Sequence, residues 1–324
     1  MRPSKSSLFR SLNRYFRQFS NLARIKISPT AQIKFERLLE SKSEDPYKDY
    51  LKIQEEATDL LKKLIPEAEE VLGNFGKKGC SILLIDNCPI SGSAGLPPIP
   101  SSSTKPKNKD YVSEYFMLGL AGLVGAKPLV TANTRDGSVI NQVIPLNPES
   151  ISGSGSKKEF PMHNEVIHEA IVPDYFILLC LTGNPLAKTR YCFLEEIIHY
   201  LPPQVIEELQ KPNFLMKSGD ASLFKEPKQL IAPILTKDQN GEFNIRLNLA
   251  PGRCEALTPE AAIALDYLKY CIKNNTPVYD IGLDDGQAVI IHDRRMLHSR
   301  GAFEGERWLQ RMNLQKESAE KLTR

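Results

Sequence analysis

The stretch Met162-His-Asn-Glu-Val-Ile-His-Glu-Ala-Ile-Val-Pro-Asp-Tyr-Phe-Ile-Leu-Leu-Cys-Leu181 decides how this chain is read, because it sets a His-x-Glu triplet just ahead of an unbroken apolar run. Seven apolar residues, Tyr175 to Leu181, are short for a helix and suit a strand buried on both faces. In an extended segment the side chains at i and i+2 share a face, so His163 and Glu165 can grip one ion while Asn164 points away. Two imidazoles and one carboxylate form the donor set that holds a non-haem Fe(II) and leaves positions open for substrate and oxygen. A distant third donor must then come from another strand.

Ile290-Ile-His-Asp-Arg-Arg-Met-Leu-His-Ser-Arg-Gly-Ala-Phe-Glu-Gly-Glu-Arg-Trp-Leu-Gln-Arg-Met312 offers that donor. Ala288 to His292 reads as a buried strand with His298 just beyond it, and a further strand through Trp308 puts Arg307 and Arg311 on one face. A guanidinium presents a rigid fork of donors to a carboxylate, so this pair suits an anionic co-substrate. A lone His-x-Glu arises often by chance. The order His-x-Glu, long gap, His, short gap, Arg-x-x-x-Arg is far more specific.

Together the two stretches resemble the clavaminate synthase and asparagine oxygenase branch of the Fe(II)/2-oxoglutarate dioxygenases, within the taurine dioxygenase superfamily. The likeness runs from about Ser81 to Asn313. It implies His163, Glu165 and His298 as iron ligands, with 2-oxoglutarate as co-substrate and O2 as oxidant. Arg307 would pair with the distal carboxylate of 2-oxoglutarate, Thr189 would help to bind it, and Arg311 would lie near its proximal carboxylate and the substrate. Asn141 or Gln142 falls where relatives use an amide to hold substrate, and Arg246 and Asn248 are taken as facing the substrate too.

Three departures from the family pattern stand out. Asn164 replaces the usual Thr, and the connection from His298 to Arg307 is shorter than in the amino-acid oxygenases. Arg246 and Asn248 stand in Asn-Ile-Arg-Leu-Asn-Leu-Ala-Pro251, where acidic residues that bind a substrate ammonium are common. That departure counts against a free L-amino acid and leaves an anionic or zwitterionic small molecule, or a modified or carrier-linked amino acid, as the substrate class. A carboxylate at Glu165 implies hydroxylation, desaturation or ring closure rather than halogenation, which needs a small residue there.

Helical periodicity in Tyr50 to Leu64, with start signals at Ser43 and Pro46, alternates along the chain with many short apolar strands. That pattern is α+β. With the resemblance, the expected architecture is a double-stranded β-helix, or jelly roll, with helices packed outside. Residues 36–324 are read as one oxygenase domain, and the Gly- and Ser-rich segment near 147–159 as a mobile lid.

Eight Lys or Arg and no acid precede Glu36, although the net charge of the whole chain is only +3. Leu8, Leu12, Phe16, Phe19 and Ala23 recur there at helical spacing. Residues 1–35 are thus a basic amphipathic segment: a helix packed on the domain, a partner or membrane-surface contact, or an organelle-targeting signal. No nucleic-acid reader motif accompanies it. No apolar run reaches the roughly 18 residues of a membrane span, and six cysteines without a Cys-x-x-Cys pair suit a reducing, cytoplasmic setting. Two other functions use the same residues: a metal-dependent hydrolase with a metal-bound water, or a non-catalytic binding relative.

Overall fold

A computed structural model describes residues 22–40, 42–76, 80–102, 105–106, 110–130, 138–219 and 228–316. Strand β1 (Ala23–Lys26) leads into helices α1 (Pro29–Leu39), α2 (Tyr50–Leu64) and α3 (Pro66–Gly73). Strand β2 (Ile82–Asp86) is followed by α4 (Val112–Val124), β3 (Ala126–Pro128), β4 (Ile140–Val143) and β5 (Phe160–His163). Next come β6 (Tyr175–Thr182), β7 (Thr189–Phe193), α5 (Leu194–His199), α6 (Pro203–Leu209) and β8 (Phe214–Lys217). The chain continues through β9 (Gln229–Ala232), β10 (Leu235–Lys237), β11 (Phe243–Ile245), β12 (Cys254–Ala256) and α7 (Pro259–Asn274). Strands β13 (Tyr279–Ile281), β14 (Ala288–His292), β15 (Met296–Arg300) and β16 (Trp308–Lys316) complete it.

The apolar run in β6 is explained by its neighbours on both faces. Tyr175, Ile177, Leu179 and Leu181 point into a core shared with α1 to α4. The alternate residues Phe176, Leu178 and Cys180 point the other way, onto Tyr191 and Phe193 of β7, Ile281 of β13 and Met296 of β15. The sheet ordered β1-β2-β14-β6-β16-β3, with β4 also on β16, therefore lies between a helical layer and the sheet β13-β7-β15-β5. A third core packs α7 and the ribbon β12-β8-β9 on the outer side of the smaller sheet, around Cys192 and Leu297. The fold is α+β.

Helices α2 and α4 meet closely because Gly119 and Gly122 carry no side chain: a Cβ at Gly122 would lie 1.9 Å from Thr58 Oγ1. Helix α7 begins as its sequence predicts, with the Thr258 hydroxyl accepting from Ala261 N at 3.1 Å. Helix α2 does not start at Ser43. The segment after Pro46 closes a turn in which Asp45 O accepts from Lys48 N and Asp49 N, so the helix begins only at Tyr50.

One expectation for the basic segment is corrected. Ala23 belongs to a strand, not to a helical stripe, because β1 pairs in parallel with β2 and seats Ile25 in the core. Leu8, Leu12, Phe16 and Phe19 lie outside the described residues. Among the described residues, no helix is long and apolar enough to cross a membrane.

Candidate metal and co-substrate site

Two of the three donor residues, His163 and His298, come from adjacent strands of the smaller sheet. β15 runs antiparallel to β5, and His298 is the direct cross-strand partner of His163. Their rings lie 4.1 Å apart between centroids, His163 also packing on Phe160 at 3.9 Å and His298 on Phe176 at 4.6 Å. The sequence reading differs from this in two details. β5 ends at His163, so Glu165 sits in the turn after it, where Val166 at φ +43° bends the chain. His298 belongs to a strand of its own, β15, beyond the turn that follows β14.

All three side chains are buried, and one potential donor atom from each lies within 4.8 Å of the others. Bonds of about 2 Å from each of two donors span about 4 Å, so small adjustments would close this set around one ion. His163 Nδ1 lies 2.8 Å from Pro161 O, and a carbonyl can only accept. The proton therefore sits on Nδ1, and Nε2 keeps a lone pair. Burial, and then His298, hold His163 down to about 3, so the imidazole is neutral. Burial would raise Glu165, but Arg311 and the two histidines together hold it well below the usual carboxylate range. Two imidazoles and one carboxylate, buried and converging, fit a non-haem Fe(II).

Arg311 borders the set, and Arg307 lies just before the same strand. Arg311, on β16 opposite Asn141 and Leu178, places Nη1 2.7 Å from each Glu165 oxygen. Arg307 precedes β16 and is buried, 6% exposed, with its guanidinium 5.7 Å from the centre of the Phe303 ring. Burial lowers Arg307 to about 10, so it stays charged at neutral pH. Among the described residues no carboxylate forms an ion pair with it. Arg300 flanks the same Phe303 ring at 5.4 Å, while Thr189 is buried beside Arg300 as its cross-strand partner.

The expected substrate residues divide into two groups. Asn141 sits opposite Arg311 on β4, and Asn248 forms an isolated bridge with His163, so both border the donors. Gln142 does not: it accepts from Trp308 Nε1 at 2.8 Å and donates to the Tyr47 hydroxyl at 3.0 Å, on the helical side of the sheet. Arg246 is likewise committed elsewhere. It donates to the carbonyls of Ile167 and Glu169, tying down the loop after the ligand turn.

Several residues at the site escaped the sequence reading. Asp293, 1% exposed, accepts from Glu165 N at 3.0 Å and has Oδ1 3.8 Å from His298 Nδ1. Its position in the turn just ahead of the strand that carries His298 was the available signal. Arg300 Nη2 donates to Lys158 O at 3.0 Å and lies 3.5 Å from Ser152 O, within the segment expected to act as a lid. That segment is closed on itself by bonds such as Ser156 N to Pro148 O at 3.1 Å, and Phe303 N donates to Ser156 O at 2.8 Å.

The model of the family described as "Taurine catabolism dioxygenase TauD, TfdA family" matches residues 111–313, which hold every donor named above. The chain belongs to this family. Among curated relatives, an L-asparagine oxygenase of Streptomyces coelicolor is 26% identical over 227 residues, 68% of this chain and 66% of the relative. The chain thus spans just under two thirds of that oxygenase. An L-lysine 3-hydroxylase of Catenulispora acidiphila is 23% identical over 261 residues, 76% of this chain and 68% of the relative. The crystal structure of asparagine oxygenase with Fe(II), 3-hydroxyasparagine and succinate superposes with a TM-score of 0.76 at 20% identity, covering 90% of this chain and 92% of that one. The non-haem iron oxygenase OrfP, in complex with iron and alpha-ketoglutaric acid, gives 0.73 at 19% identity, covering 91% and 94%. These superpositions establish a shared fold.

Proposed function

We propose that this family member is an Fe(II)- and 2-oxoglutarate-dependent dioxygenase that hydroxylates an unactivated carbon of a small amino-acid-like substrate. Substrate C–H, O2 and 2-oxoglutarate are converted to C–OH, succinate and CO2, the ion and co-substrate supplying the oxidising chemistry. The observation that carries the reading is a buried His-Glu-His donor set in a chain that also buries Arg307, a cation without a carboxylate partner among the described residues, just before the strand whose Arg311 bonds Glu165. A metal-dependent hydrolase could use the same three donors but would have no need of that cation.

In this reading His163, Glu165 and His298 hold the metal, and Arg307 anchors the distal carboxylate of 2-oxoglutarate with help from Thr189. Arg311 keeps Glu165 ionised and oriented, and Asn141 and Asn248 border the space left for substrate. The names of the asparagine and lysine enzymes support an amino-acid-like substrate. We read the two facing sheets as a jelly roll around the site, in one domain. The segment 147–159 serves as a lid that excludes water, held in the present arrangement by Arg300. A cytoplasmic setting is part of this reading, and any partner or membrane contact would fall to the basic segment 1–35.

The test is anaerobic titration with Fe(II) and 2-oxoglutarate, following the weak visible charge-transfer band of the chelate. Wild type should give the band, and Arg307→Ala should need about 100-fold more 2-oxoglutarate, as expected for loss of a buried charge-assisted pair of about 3 kcal/mol. A folded, metal-loaded wild type without the band would refute the dioxygenase reading.

A further inference from the structure

Asn164, the residue between the two donors of the ligand segment, makes more contacts than its place in the motif suggests. It is 3% exposed, and its carboxamide is fully used. Nδ2 donates to Asp293 O and, at 2.8 Å, to Met296 O. Oδ1 accepts from Leu247 N at 2.9 Å, while Asn164 N donates to Leu247 O at 2.7 Å.

Each partner has a place in the site. Asp293 and Met296 bracket the turn between β14 and β15, the turn that sets the start of the strand carrying His298. Leu247 precedes Asn248, which bridges to His163. The amide thus joins three segments: the one bearing His163 and Glu165, the one leading to His298, and the one bordering the substrate space. Asp293 completes the link in the opposite direction by accepting from Glu165 N.

Few side chains could do this. The geometry requires two N–H donors and one acceptor on a single planar group of this length, which only an unflipped Asn supplies. Thr has one O–H and a shorter reach, Asp has no N–H, and Ala has neither. Loss of the amide leaves two buried carbonyls and a buried N–H without this partner, and the turn before His298 is then free to shift.

We propose that Asn164 is a positioning residue that sets the separation between His298 and the His163–Glu165 pair, and that it couples metal occupancy to segment 246–249. This rests on the metal site proposed above. The role belongs to this chain's own Asn; the hydrogen bonds come from its carboxamide and would be lost with Thr at the same position.

Binding of Mn(II), which is stable in air, to the metal-free protein tests it through the electron paramagnetic resonance of the free ion. Hydrogen exchange at Leu247 is followed with and without the metal. Asn164→Thr and Asn164→Ala should bind Mn(II) about 10- to 100-fold more weakly than wild type, the range for loss of an outer-shell partner. In wild type, Mn(II) should slow exchange at Leu247 N–H; in Asn164→Ala it should not. A merely structural role would lower the melting temperature of the metal-free variants and leave the Mn(II) affinity of the folded protein unchanged, and that result overturns the proposal. If neither variant folds, the wild-type exchange measurement decides alone, since protection at Leu247 that is indifferent to Mn(II) also refutes the coupling. Failure of wild type to bind Mn(II) at all would instead remove the metal site, and this proposal with it.

Discussion

At the scale of single residues, charge is decided by burial more than by sequence. His163, packed against His298, is held neutral, whereas Arg307 keeps its charge in the same interior. His292 shows the same effect away from the metal donors. Its Nδ1 is buried without a hydrogen-bond partner, the ring packs edge-on against Tyr175, and burial, then Arg295 and Arg294, lower it to about 3. A depressed histidine destabilises the fold as pH falls below the unfolded value near 6.5, because the unfolded chain then binds the proton that the folded chain refuses. Between pH 7 and pH 5.5 this group should remove about 1 kcal/mol of stability. Urea titrations at both pH values should show that loss, and His292→Phe should reduce it. At this scale the convergence of His163, Glu165 and His298 was legible from their donor chemistry and order in the chain, although Glu165 lies in a turn and not on the strand that i, i+2 spacing assumes. Gln142 and Arg246 were misplaced because residue type says nothing about which side of a sheet, or which loop, will claim a polar group.

At the scale of elements, two contacts decide how rigid the frame is. The approach of α2 to α4 depends on Gly119 and Gly122. Gly122→Ala would drive a methyl into Thr58, so it should cost about 1–3 kcal/mol in denaturant unfolding. No loss would mean that the helices separate freely. The segment before β5 is the second case. Arg300 is buried on β15, with two of its nitrogens unpartnered and Nη2 bonded to Lys158 O. Arg300→Ala should release the segment, raising proteolytic cleavage within residues 147–158 while far-ultraviolet circular dichroism stays unchanged. Equal cleavage in both proteins would show that the internal bonds of the loop suffice. The helix and strand types were legible from apolar periodicity, and β6 in particular from its uninterrupted run. Strand ends were not: β5 stops at His163 because the turn at Val166 intervenes, and a positive φ at a β-branched residue carries no sequence signature.

At the scale of the whole molecule, the donors join residues from the middle of the chain to residues near its end, so metal binding should stabilise the entire fold. With free metal at 100 times its dissociation constant, the gain is about 2.7 kcal/mol. Trp308, the single tryptophan, is fully buried in the strand that carries Arg311, and its fluorescence reports unfolding directly. Mn(II) should raise the melting temperature read from Trp308 and a chelator should reverse the change, whereas His163→Ala should respond to neither. The amino-acid sequence by itself determined the types of the converging side chains, the arginine pair that follows them in the chain and the α+β class, because short-range spacing and side-chain chemistry are properties of the chain. Only the tertiary structure decided that His298 pairs across a strand with His163, that β1 joins the large sheet, and that Asn164 bonds to two distant segments. Register, and the capture of a polar group by a particular partner, follow from which surfaces meet on folding, and a linear pattern does not contain that information.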